Sequence, residues 1–352
     1  MTLAAAAEVT YQTVPLPQQI AIDPSGKQAL LIKGQAVTYP AGNDKMKSTA
    51  ALTGEYLSLT PQVAGKKAVP GVQLSLGLKS ENPEAYIITV DKKGIRIQGA
   101  SESGVFYGVQ TLRKSVMEEK GDTIRLPYAK VSDEPRFGYR GTMLDCARHF
   151  FPVSFVKEFI DILALHGVNR FHWHLTDDQG WRFEVKSLPE LAVKGSVRPC
   201  TVVGKNIGVG NAAGAIYDDT PETGYYTQEE MKEIVRYAEE RFITIVPEID
   251  LPGHMIAALS VYPELGCIGG PYNVWCRWGI AQDVLCAGNP KTLDFLHKVM
   301  DEVCEVFPGK LIHIGGDESP RNRWKACPKC QKKMKELGLK KEAELQTYIN
   351  KD

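Results

Sequence analysis

Four short segments each combine several ionisable side chains, and each segment ends or follows an apolar run typical of a β-strand. The segments are LDCARHFF at 144–151, FHWHLTDDQGW at 171–181, VPEIDLPGH at 246–254 and HIGGDESP at 313–320. One ionisable residue at a strand end is ordinary, but four clusters at four successive strand ends are difficult to explain by packing. We therefore predict that the four segments contribute to one shared site.

Two adjacent acids, Asp317 and Glu318, follow two glycines and the apolar run at 311–314. Because successive side chains on a strand point to opposite faces, adjacent acids can serve one site only where the strand ends. The alternative is a helix N-terminus, where two acids would face the positive end of the helix dipole. The glycines and the three other clusters favour a catalytic pair.

His172 and His174 form an HxH pair that a β-strand would place on one face. Metal-dependent amidohydrolases use such a pair, and His254, His313 and Asp177 could complete a metal site. A metal-dependent hydrolase of the amidohydrolase type is therefore one alternative function.

Eight cysteines are spread through the chain, at a density well below that of a disulfide-stapled miniprotein. Cys327 and Cys330, in the sequence ACPKC, are the one tight pair. The functional interpretations of this pair are half a zinc site or a redox pair. Because no second CxxC lies at zinc-finger spacing, we favour a local disulfide or two thiols that fix a loop.

From residue 138 onward the sequence alternates between strands and helices. The predicted strands are GYRGTMLDCA, VNRFHWHLTD, TIVPEID and KLIHIGGDE. The predicted helices are PVSFVKEFIDILALHG, TQEEMKEIVRYAEERF with a capping box from Thr227 to Glu230, TLDFLHKVMDEVCEVF and EAELQTYINKD. A long glycine-rich excursion separates the second strand from its helix at about 178–224. This alternation predicts an α/β fold with parallel strands, and the polar clusters at the carboxyl ends of the strands favour a (β/α)8 TIM-barrel type of catalytic domain over 136–352.

The preceding residues, 1–135, are predicted to form a small α+β domain. EAYIITV at 84–90 and IRIQG at 95–99 are typical of a β-hairpin, and the segment after Ser101 has apolar residues at helical spacing with Ser101 as the expected cap. The region before residue 80 mixes short apolar runs with Pro and Gly, so we expect further strands there. The polar segment VSDEPRFGYRG at 131–141 precedes the change of pattern, and we place the domain boundary in it.

The composition excludes several default partners. The chain has 352 residues, 43% of them apolar, and 42 basic residues balance 42 acidic ones, so nucleic acid is not an expected partner. No window approaches the ~18 consecutive apolar residues of a membrane span. The start, MTLAAAAEVT, shows no signal peptide, but its alanine run is compatible with an export signal that was removed or replaced. We expect an exported protein, whether periplasmic, secreted or at the cell surface.

Four segments together resemble the β-N-acetylhexosaminidases of glycoside hydrolase family 20. The segments are YRGTMLDCARHFFP, HWHLTDDQGW, YYTQEEMKEIVRYAEERFITIVPEIDLPGH and IHIGGDE. Upstream, EAYIITVDKKGIRIQGASESGVFYGVQTL resembles the α+β domain that precedes the barrel of these enzymes. The resemblance implies an exo-acting enzyme that releases terminal β-linked GlcNAc or GalNAc from glycans and glycoconjugates with retention, and in which the substrate's own acetamido oxygen is the nucleophile.

The resemblance also implies roles for individual residues. Glu318 matches the general acid/base, and Asp317 matches the acid that orients the acetamido group. Arg148 matches the arginine that binds hydroxyls of the terminal sugar; the alternative is a salt bridge from Arg148 to a neighbouring acid such as Asp145, and we favour sugar binding. Asp177 and His254 match a pair in hydrogen-bonded contact with the acid/base. Glu248, Asp250 and His174 are expected to support these groups from behind. The five tryptophans are expected by default to pack or to anchor loops, and Trp181 and Trp278 are the candidates to line the mouth of the site. No cofactor and no metal ion are expected to take part.

A full (β/α)8 barrel needs eight strands and ~250 residues, whereas only four strands are recognisable after residue 138. We therefore expect the first four β/α units, without the later residues that close the acetamido pocket in the resembled family. Impaired activity follows as one expectation, and exposed strand edges predict that two copies associate as a homodimer.

Overall fold

The computed structural model describes residues 9–67, 69–117, 119, 121–204 and 215–351. The chain divides into two compact units. The first unit comprises residues 1–141 with 159–169 and 237–243, and the second comprises 142–158, 170–236 and 244–352. Residues 205–214 of the predicted glycine-rich excursion lie outside the described residues.

The first unit contains nine strands and two long helices among its described residues. In chain order these are β1 (Gln19–Ile22), β2 (Gln28–Ile32), β3 (Ala36–Tyr39), α1 (Asp44–Leu57), β4 (Thr60–Val63), β5 (Gly71–Leu76), β6 (Tyr86–Asp91), β7 (Gly94–Gly99), α2 (Glu102–Val116), β8 (Thr123–Pro127) and β9 (Ala129–Asp133). Seven strands form one mixed sheet in the order β1-β9-β6-β7-β5-β3-β4, and β2 pairs separately with β8. A mixed sheet with two helices is an α+β arrangement.

The predicted hairpin is confirmed by the antiparallel pairing of β6 with β7. Alternate residues of both strands are buried, including Ile88 and Ile97, and α2 packs against this pair. A Cβ atom at Gly108 of α2 would lie 2.6 Å from Ile97 Cγ2, so the close packing of helix on sheet requires glycine there. The predicted cap was wrong in detail: Ser101 occupies the N-cap position, but its hydroxyl donates to the Pro83 carbonyl at 2.6 Å.

Helix α1 was not predicted, because the region before residue 80 was expected to hold strands only. Asn43 caps this helix by accepting a hydrogen bond from the Met46 amide at 3.0 Å. Its buried face includes Thr49, Thr53 and Gly54, which are poor helix formers. Tertiary burial stabilises a helix whose local propensity and apolar periodicity are weak.

The second unit alternates between strands and helices, as predicted, and two helices have residues in both units. Its elements are β10 (Gly141–Asp145), α3 (Val153–Leu165), β11 (Arg170–Asp177), β12 (Gly180–Trp181), α4 (Glu190–Gly195), α5 (Gln228–Glu239), β13 (Thr244–Ile249), α6 (Ile256–Val261), α7 (Pro290–Val306), α8 (Asn322–Ala326), α9 (Pro328–Leu337) and α10 (Ala343–Ile349), with a 3-10 turn at Pro263–Leu265. The capping box of α5 is confirmed: the Glu230 carboxylate accepts from the Thr227 amide at 2.8 Å, and the Thr227 hydroxyl accepts from the Glu230 amide at 3.2 Å.

Strand β11 lies between β10 and β13, and β11 and β13 are parallel. The short strand β12 folds back on the end of β11. The fourth predicted strand, KLIHIGGDE, is reduced to one parallel bridge between Glu248 and His313. The Ile249 amide donates to the His313 carbonyl at 3.1 Å, so this segment still runs beside β13. Two left-handed glycines directly after it, Gly315 and Gly316, end the extended conformation.

The described part of the chain contains no helix that is both long enough and apolar enough to cross a membrane.

Candidate active site

The strand order places the four polar segments side by side. Segment 144–151 follows β10, segment 171–181 includes β11 and β12, segment 246–254 spans the end of β13, and segment 313–320 begins at the bridge to β13. Because the carboxyl ends of neighbouring parallel strands share one edge, the clusters meet there. All of the residues discussed below belong to the second unit.

Asp177, at the end of β11, is fully buried and joins the first two segments. Its Oδ2 lies 2.7 Å from Arg148 Nη2 and 3.0 Å from His174 Nε2. Burial alone would raise the pKa of Asp177, but the hydrogen bonds from His174 and His254 and the Arg148 charge together lower it to about 2. Asp177 is therefore ionised at neutral pH and forms a buried negative centre.

Arg148 is held in a fixed orientation by three neighbours. Its Nη1 lies 2.7 Å from Asp145 Oδ2 and its Nε donates to Gln179 Oε1 at 3.1 Å, in addition to the Asp177 contact. Asp145 also accepts hydrogen bonds from the amides of Ala147 and Arg148, which turns the chain after β10 back toward β11. About a quarter of the Arg148 side chain stays exposed, so part of its guanidinium can contact a ligand.

His254 connects this buried centre to Glu318. Its Nδ1 lies 3.1 Å from Asp177 Oδ1 and 3.1 Å from Asp178 Oδ2, and its Nε2 lies 3.3 Å from Glu318 Oε2. His254 Nε2 has no aligned hydrogen-bond partner, so its contact with Glu318 is an ion pair and not a hydrogen bond. Burial alone would lower the pKa of His254, but the two aspartates outweigh it and raise it to about 11. His254 is therefore a buried imidazolium that faces the exposed Glu318 carboxylate.

The Glu248 carboxylate, on β13, contacts three histidines. Its Oε2 lies 2.6 Å from His172 Nε2 and 2.5 Å from His174 Nδ1, and its Oε1 lies 3.0 Å from His313 Nδ1. Burial opposes ionisation of Glu248, but these histidines hold its pKa well below the usual range. Burial alone would lower the pKa of His174, but its contacts with Asp177 and Glu248 raise it to about 10. His172, His174 and Glu248 are also close enough together to hold a metal ion, but the third ligand is Glu248 and not one of the residues expected to complete a site with the HxH pair, His254, His313 and Asp177.

The acid pair follows a turn that only glycine allows. Gly315 and Gly316 have φ angles of +58° and +92°, and Glu318 itself has φ +45°. A Cβ atom at Gly315 would lie 2.0 Å from Asp250 Oδ1, and the same oxygen accepts from the Gly316 amide at 2.9 Å. Asp250 thus fastens the turn, and the left-handed residues let adjacent acids serve one site.

Asp250 is itself perturbed. Burial raises the pKa of Asp250 to about 7, and the nearby charges of Asp317 and Asp177 act in the same direction, against the Gly316 hydrogen bond. A side-chain oxygen or nitrogen atom from each of Asp250, His254 and Asp317 lies within 4.8 Å of the others, so Asp317 belongs to the same cluster as His254. Glu318 and Asp317 are both exposed, whereas the groups behind them are buried.

A cavity of about 390 Å³ opens beside Glu318. Its lining residues include Gln282, Arg321 and Gln346. Trp278, which is about half exposed, lines a small depression together with Arg148, as expected for a residue at the mouth. Trp181 does not: it is fully buried, and its Nε1 donates to the Phe183 carbonyl at 2.6 Å, because β12 carries it into the core behind the site.

The structure thus connects Arg148, Asp177, His254 and Glu318 in one continuous polar chain, with Asp317 beside it. Of the groups expected to support them, His174 contacts Asp177, Asp250 accepts from the Gly316 amide of the glycine turn, and Glu248 contacts His174. The salt bridge between Arg148 and Asp145, which is the alternative considered for Arg148, is present. Sequence reasoning missed the contacts of Asp178 and Gln179, although both lie inside the polar segments that it identified. It also missed the clustering of Cys267 and Cys286 with the CxxC pair, because neither residue has a local motif.

Two family models match the chain: "Glycosyl hydrolase family 20, catalytic domain" over residues 137–352 and "Glycosyl hydrolase family 20, domain 2" over residues 10–134. A beta-hexosaminidase of Porphyromonas gingivalis is 43% identical over 314 residues, which cover 88% of this chain and 38% of that protein. A beta-hexosaminidase of Vibrio furnissii is 42% identical over 268 residues, which cover 75% of this chain and 42% of that protein. The chain therefore spans about two fifths of the length of these curated relatives.

Solved structures give the same match. A beta-N-acetylhexosaminidase from Bacteroides fragilis superimposes with a TM-score of 0.77 at 33% identity, covering 96% of this chain and 62% of that one. An N-acetyl-beta-hexosaminidase from Streptomyces plicatus, solved in complex with Thio-NAglucal, superimposes with a TM-score of 0.76 at 29% identity, covering 97% of this chain and 64% of that one.

Proposed function

The chain belongs to glycosyl hydrolase family 20, and on that premise we propose that the protein is an exo-acting, retaining β-N-acetylhexosaminidase. Membership confirms the resemblance found in the sequence and identifies a catalytic domain of the TIM-barrel type with a preceding N-terminal domain. The proposed substrates are glycans and glycoconjugates that end in β-linked GlcNAc or GalNAc. One observation carries the assignment of the site: the exposed Glu318 carboxylate lies 3.3 Å from a buried histidine whose other nitrogen contacts two buried aspartates.

The proposed reaction is substrate-assisted and has two steps. In the first, the acetamido carbonyl oxygen of the substrate attacks the anomeric carbon while the glycosidic C–O bond breaks, and Glu318 gives its proton to the leaving oxygen. In the second, the Glu318 carboxylate takes a proton from water, the water oxygen bonds to the anomeric carbon, and the cyclic intermediate reopens to the acetamide. The acetamido oxygen attacks one face of the anomeric carbon and the water then attacks the opposite face, so the configuration is retained.

Asp317 is proposed to accept a hydrogen bond from the acetamido N–H group and to stabilise the positive charge that develops on that nitrogen. The glycine turn supports this role, because it places adjacent acids at the same edge of the site. Arg148 is proposed to bind sugar hydroxyls with the exposed part of its guanidinium, while Asp145 and Asp177 fix its plane. His254 is proposed to hold the Glu318 oxygen through its own contacts with Asp177 and Asp178.

The test is hydrolysis of two N-acetyl-β-glucosaminides, one with an activated aryl leaving group and one with an alkyl leaving group. Glu318→Gln removes the proton donor, so we expect a loss of about 10²–10⁴-fold for the alkyl glycoside and a smaller loss for the aryl glycoside. Glu305→Gln, at an exposed position of α7, is the control and should match wild type. Equal losses on the two substrates, or none, would refute the role of Glu318.

A second measurement tests the internal nucleophile. A substrate with a trifluoroacetamido group has a poorer carbonyl nucleophile, so its turnover should fall well below that of the acetamido substrate. Equal turnover would indicate an enzymic nucleophile. The metal-hydrolase alternative instead predicts that turnover survives Glu318→Gln and is lost when His172 is replaced.

We further propose that residues 136–352 supply the first four β/α units of the barrel, which three strands and the bridge at His313 support. We also propose that two copies of the chain associate and that the protein is exported. Light scattering tests the association, since a monomer at high concentration would contradict it. Fractionation of the native host tests export.

A further inference from the structure

We propose that Cys267, Cys286, Cys327 and Cys330 form a tetrathiolate site for one zinc ion. The four Sγ atoms lie within 4.8 Å of one another. Cys286 Sγ is 3.7 Å from Cys327 Sγ and 3.6 Å from Cys330 Sγ, and Cys267 Sγ is 3.8 Å from Cys330 Sγ. A tetrahedral zinc site with Zn–S bonds of about 2.3 Å requires S···S edges of about 3.8 Å, so the sulfurs already have the spacing of zinc ligands.

The four thiols come from two separate segments that the fold brings together. Cys267 and Cys286 flank the excursion that follows α6, and the bridge between Gly266 and Leu285 joins the two ends of that excursion. Cys327 and Cys330 lie at the first turn of α9. Three of the four are buried, and only Cys267 is partly exposed. Ligands that converge from two segments onto a closed, buried position are typical of structural zinc sites.

Gly288 packs directly against the CxxC segment. A Cβ atom at Gly288 would lie 2.1 Å from the Lys329 carbonyl carbon and 2.5 Å from the Cys330 nitrogen, so this approach requires glycine. The positive end of the α9 dipole faces Cys327 and Cys330. Four lysines surround the CxxC pair in sequence and can balance a zinc tetrathiolate of net charge −2: Lys325, Lys329, Lys332 and Lys333.

The cluster also explains the CxxC motif better than a local disulfide or a redox pair. Cys330 contacts both Cys267 and Cys286, and Cys286 contacts both members of the CxxC pair. A disulfide between Cys327 and Cys330 would leave two further thiols packed against it, whereas one zinc ion uses all four. One zinc ion would therefore take the place of the local disulfide or loop-fixing thiols that the sequence favoured for this pair.

The site would fasten the segment that follows the proposed acid pair to the excursion at 267–286. Two other contacts join the same segments: Trp324 Nε1 donates to the Leu285 carbonyl at 2.9 Å, and Arg323 Nε lies 2.7 Å from Asp283 Oδ1. Zinc would close this junction by tying α9 to the chain ahead of α7. Its role is structural, and the inference does not depend on the proposed glycosidase activity.

The first test is the metal content of the chain, expressed and purified without added metal and measured by plasma mass spectrometry. We expect about one zinc ion per chain, and at least about a fivefold lower content in the double variant Cys327→Ser and Cys330→Ser. Cys304→Ser is the matched control, because Cys304 is an exposed cysteine outside the cluster and its loss should leave the zinc content unchanged.

A second measurement uses the wild-type chain and stays informative if the double variant fails to fold. Cobalt(II) exchanged for zinc should give thiolate-to-metal charge-transfer bands and the intense visible bands of tetrahedral coordination. The proposal would be overturned by a zinc content near zero together with an intact mass lower by two hydrogens for each disulfide formed. It would equally be overturned by cobalt spectra typical of oxygen or nitrogen ligands.

Discussion

Replacing Gly315 by alanine should break the turn that presents the acid pair. The residue has φ +58°, and an added Cβ atom would lie 2.0 Å from Asp250 Oδ1. Because Asp250 is buried and fastened to the Gly316 amide, it cannot simply rotate away. Reaching even the shortest ordinary contact of about 3 Å requires either Asp250 or the backbone at 315–318 to move by about 1 Å.

The magnitude has two parts. A left-handed alanine costs about 1–2 kcal/mol, and overpacking of a buried contact costs about 1–3 kcal/mol, so we expect a loss of about 2–5 kcal/mol. Gly338→Ala separates the two parts. Gly338 has φ +66°, but a Cβ atom there would meet nothing within 4 Å, so only the first cost applies. Both glycines belong to the second unit.

The measurement is urea unfolding followed by tryptophan fluorescence. The fluorescence signal reports the unit that is perturbed, because all five tryptophans lie in the second unit, at positions 173, 181, 275, 278 and 324. Gly315→Ala should lose about 1–3 kcal/mol more than Gly338→Ala. Its kcat/KM should also fall by about 100-fold, since a displacement of about 1 Å misplaces the acid pair. Equal destabilisation of the two variants would refute the steric argument, and unchanged turnover would refute its link to the site.

Two further changes test the charges behind the site. Burial raises the pKa of Asp250 to about 7, above its unfolded value near 3.9, so this group lowers wild-type stability as the pH rises from about 4 to 7. Asp250→Asn should therefore gain stability relative to wild type over that range, by at most about 4 kcal/mol, and urea unfolding at pH 4 and pH 8 checks this; a pH-independent difference would contradict it. Arg148→Lys keeps the charge but loses the fork that contacts Asp145 and Asp177, so KM should rise about tenfold with a smaller change in kcat. Steady-state kinetics beside the exposed control Arg236→Lys measure this, and a variant that loses stability while KM stays constant would show a structural role only.

Much of the fold could be predicted because the relevant signals are local. The hairpin of β6 and β7, the capping box of α5 and the long helix α7 each depend on residues within a few positions of one another, and all three were found. Helix α1 was missed because threonines and a glycine occupy its buried face, so its stability comes from the sheet it covers. The fourth strand was overpredicted, since two left-handed glycines end it after one bridge.

The segments that form the candidate site could be identified from the sequence itself. Polar segments at successive strand ends must meet once the strands are parallel, and the resemblance to glycoside hydrolase family 20 then selected Arg148, Asp177, His254 and the acid pair within them. Their arrangement could not be identified in this way. Whether a carboxylate is buried, which imidazole nitrogen faces which acid, and how close Gly315 lies to Asp250 depend on distances between segments far apart in sequence.

The cysteines show the same division most clearly. From the sequence, the CxxC pair could be interpreted only as a local feature, because the other two proposed ligands lie 41 or more residues away along the chain and have no motif of their own. Only the tertiary structure decided that four sulfurs share one buried position. A local pattern specifies secondary structure, whereas a site is specified by the free energy of packing distant segments together, and that packing is not written at any single position of the chain.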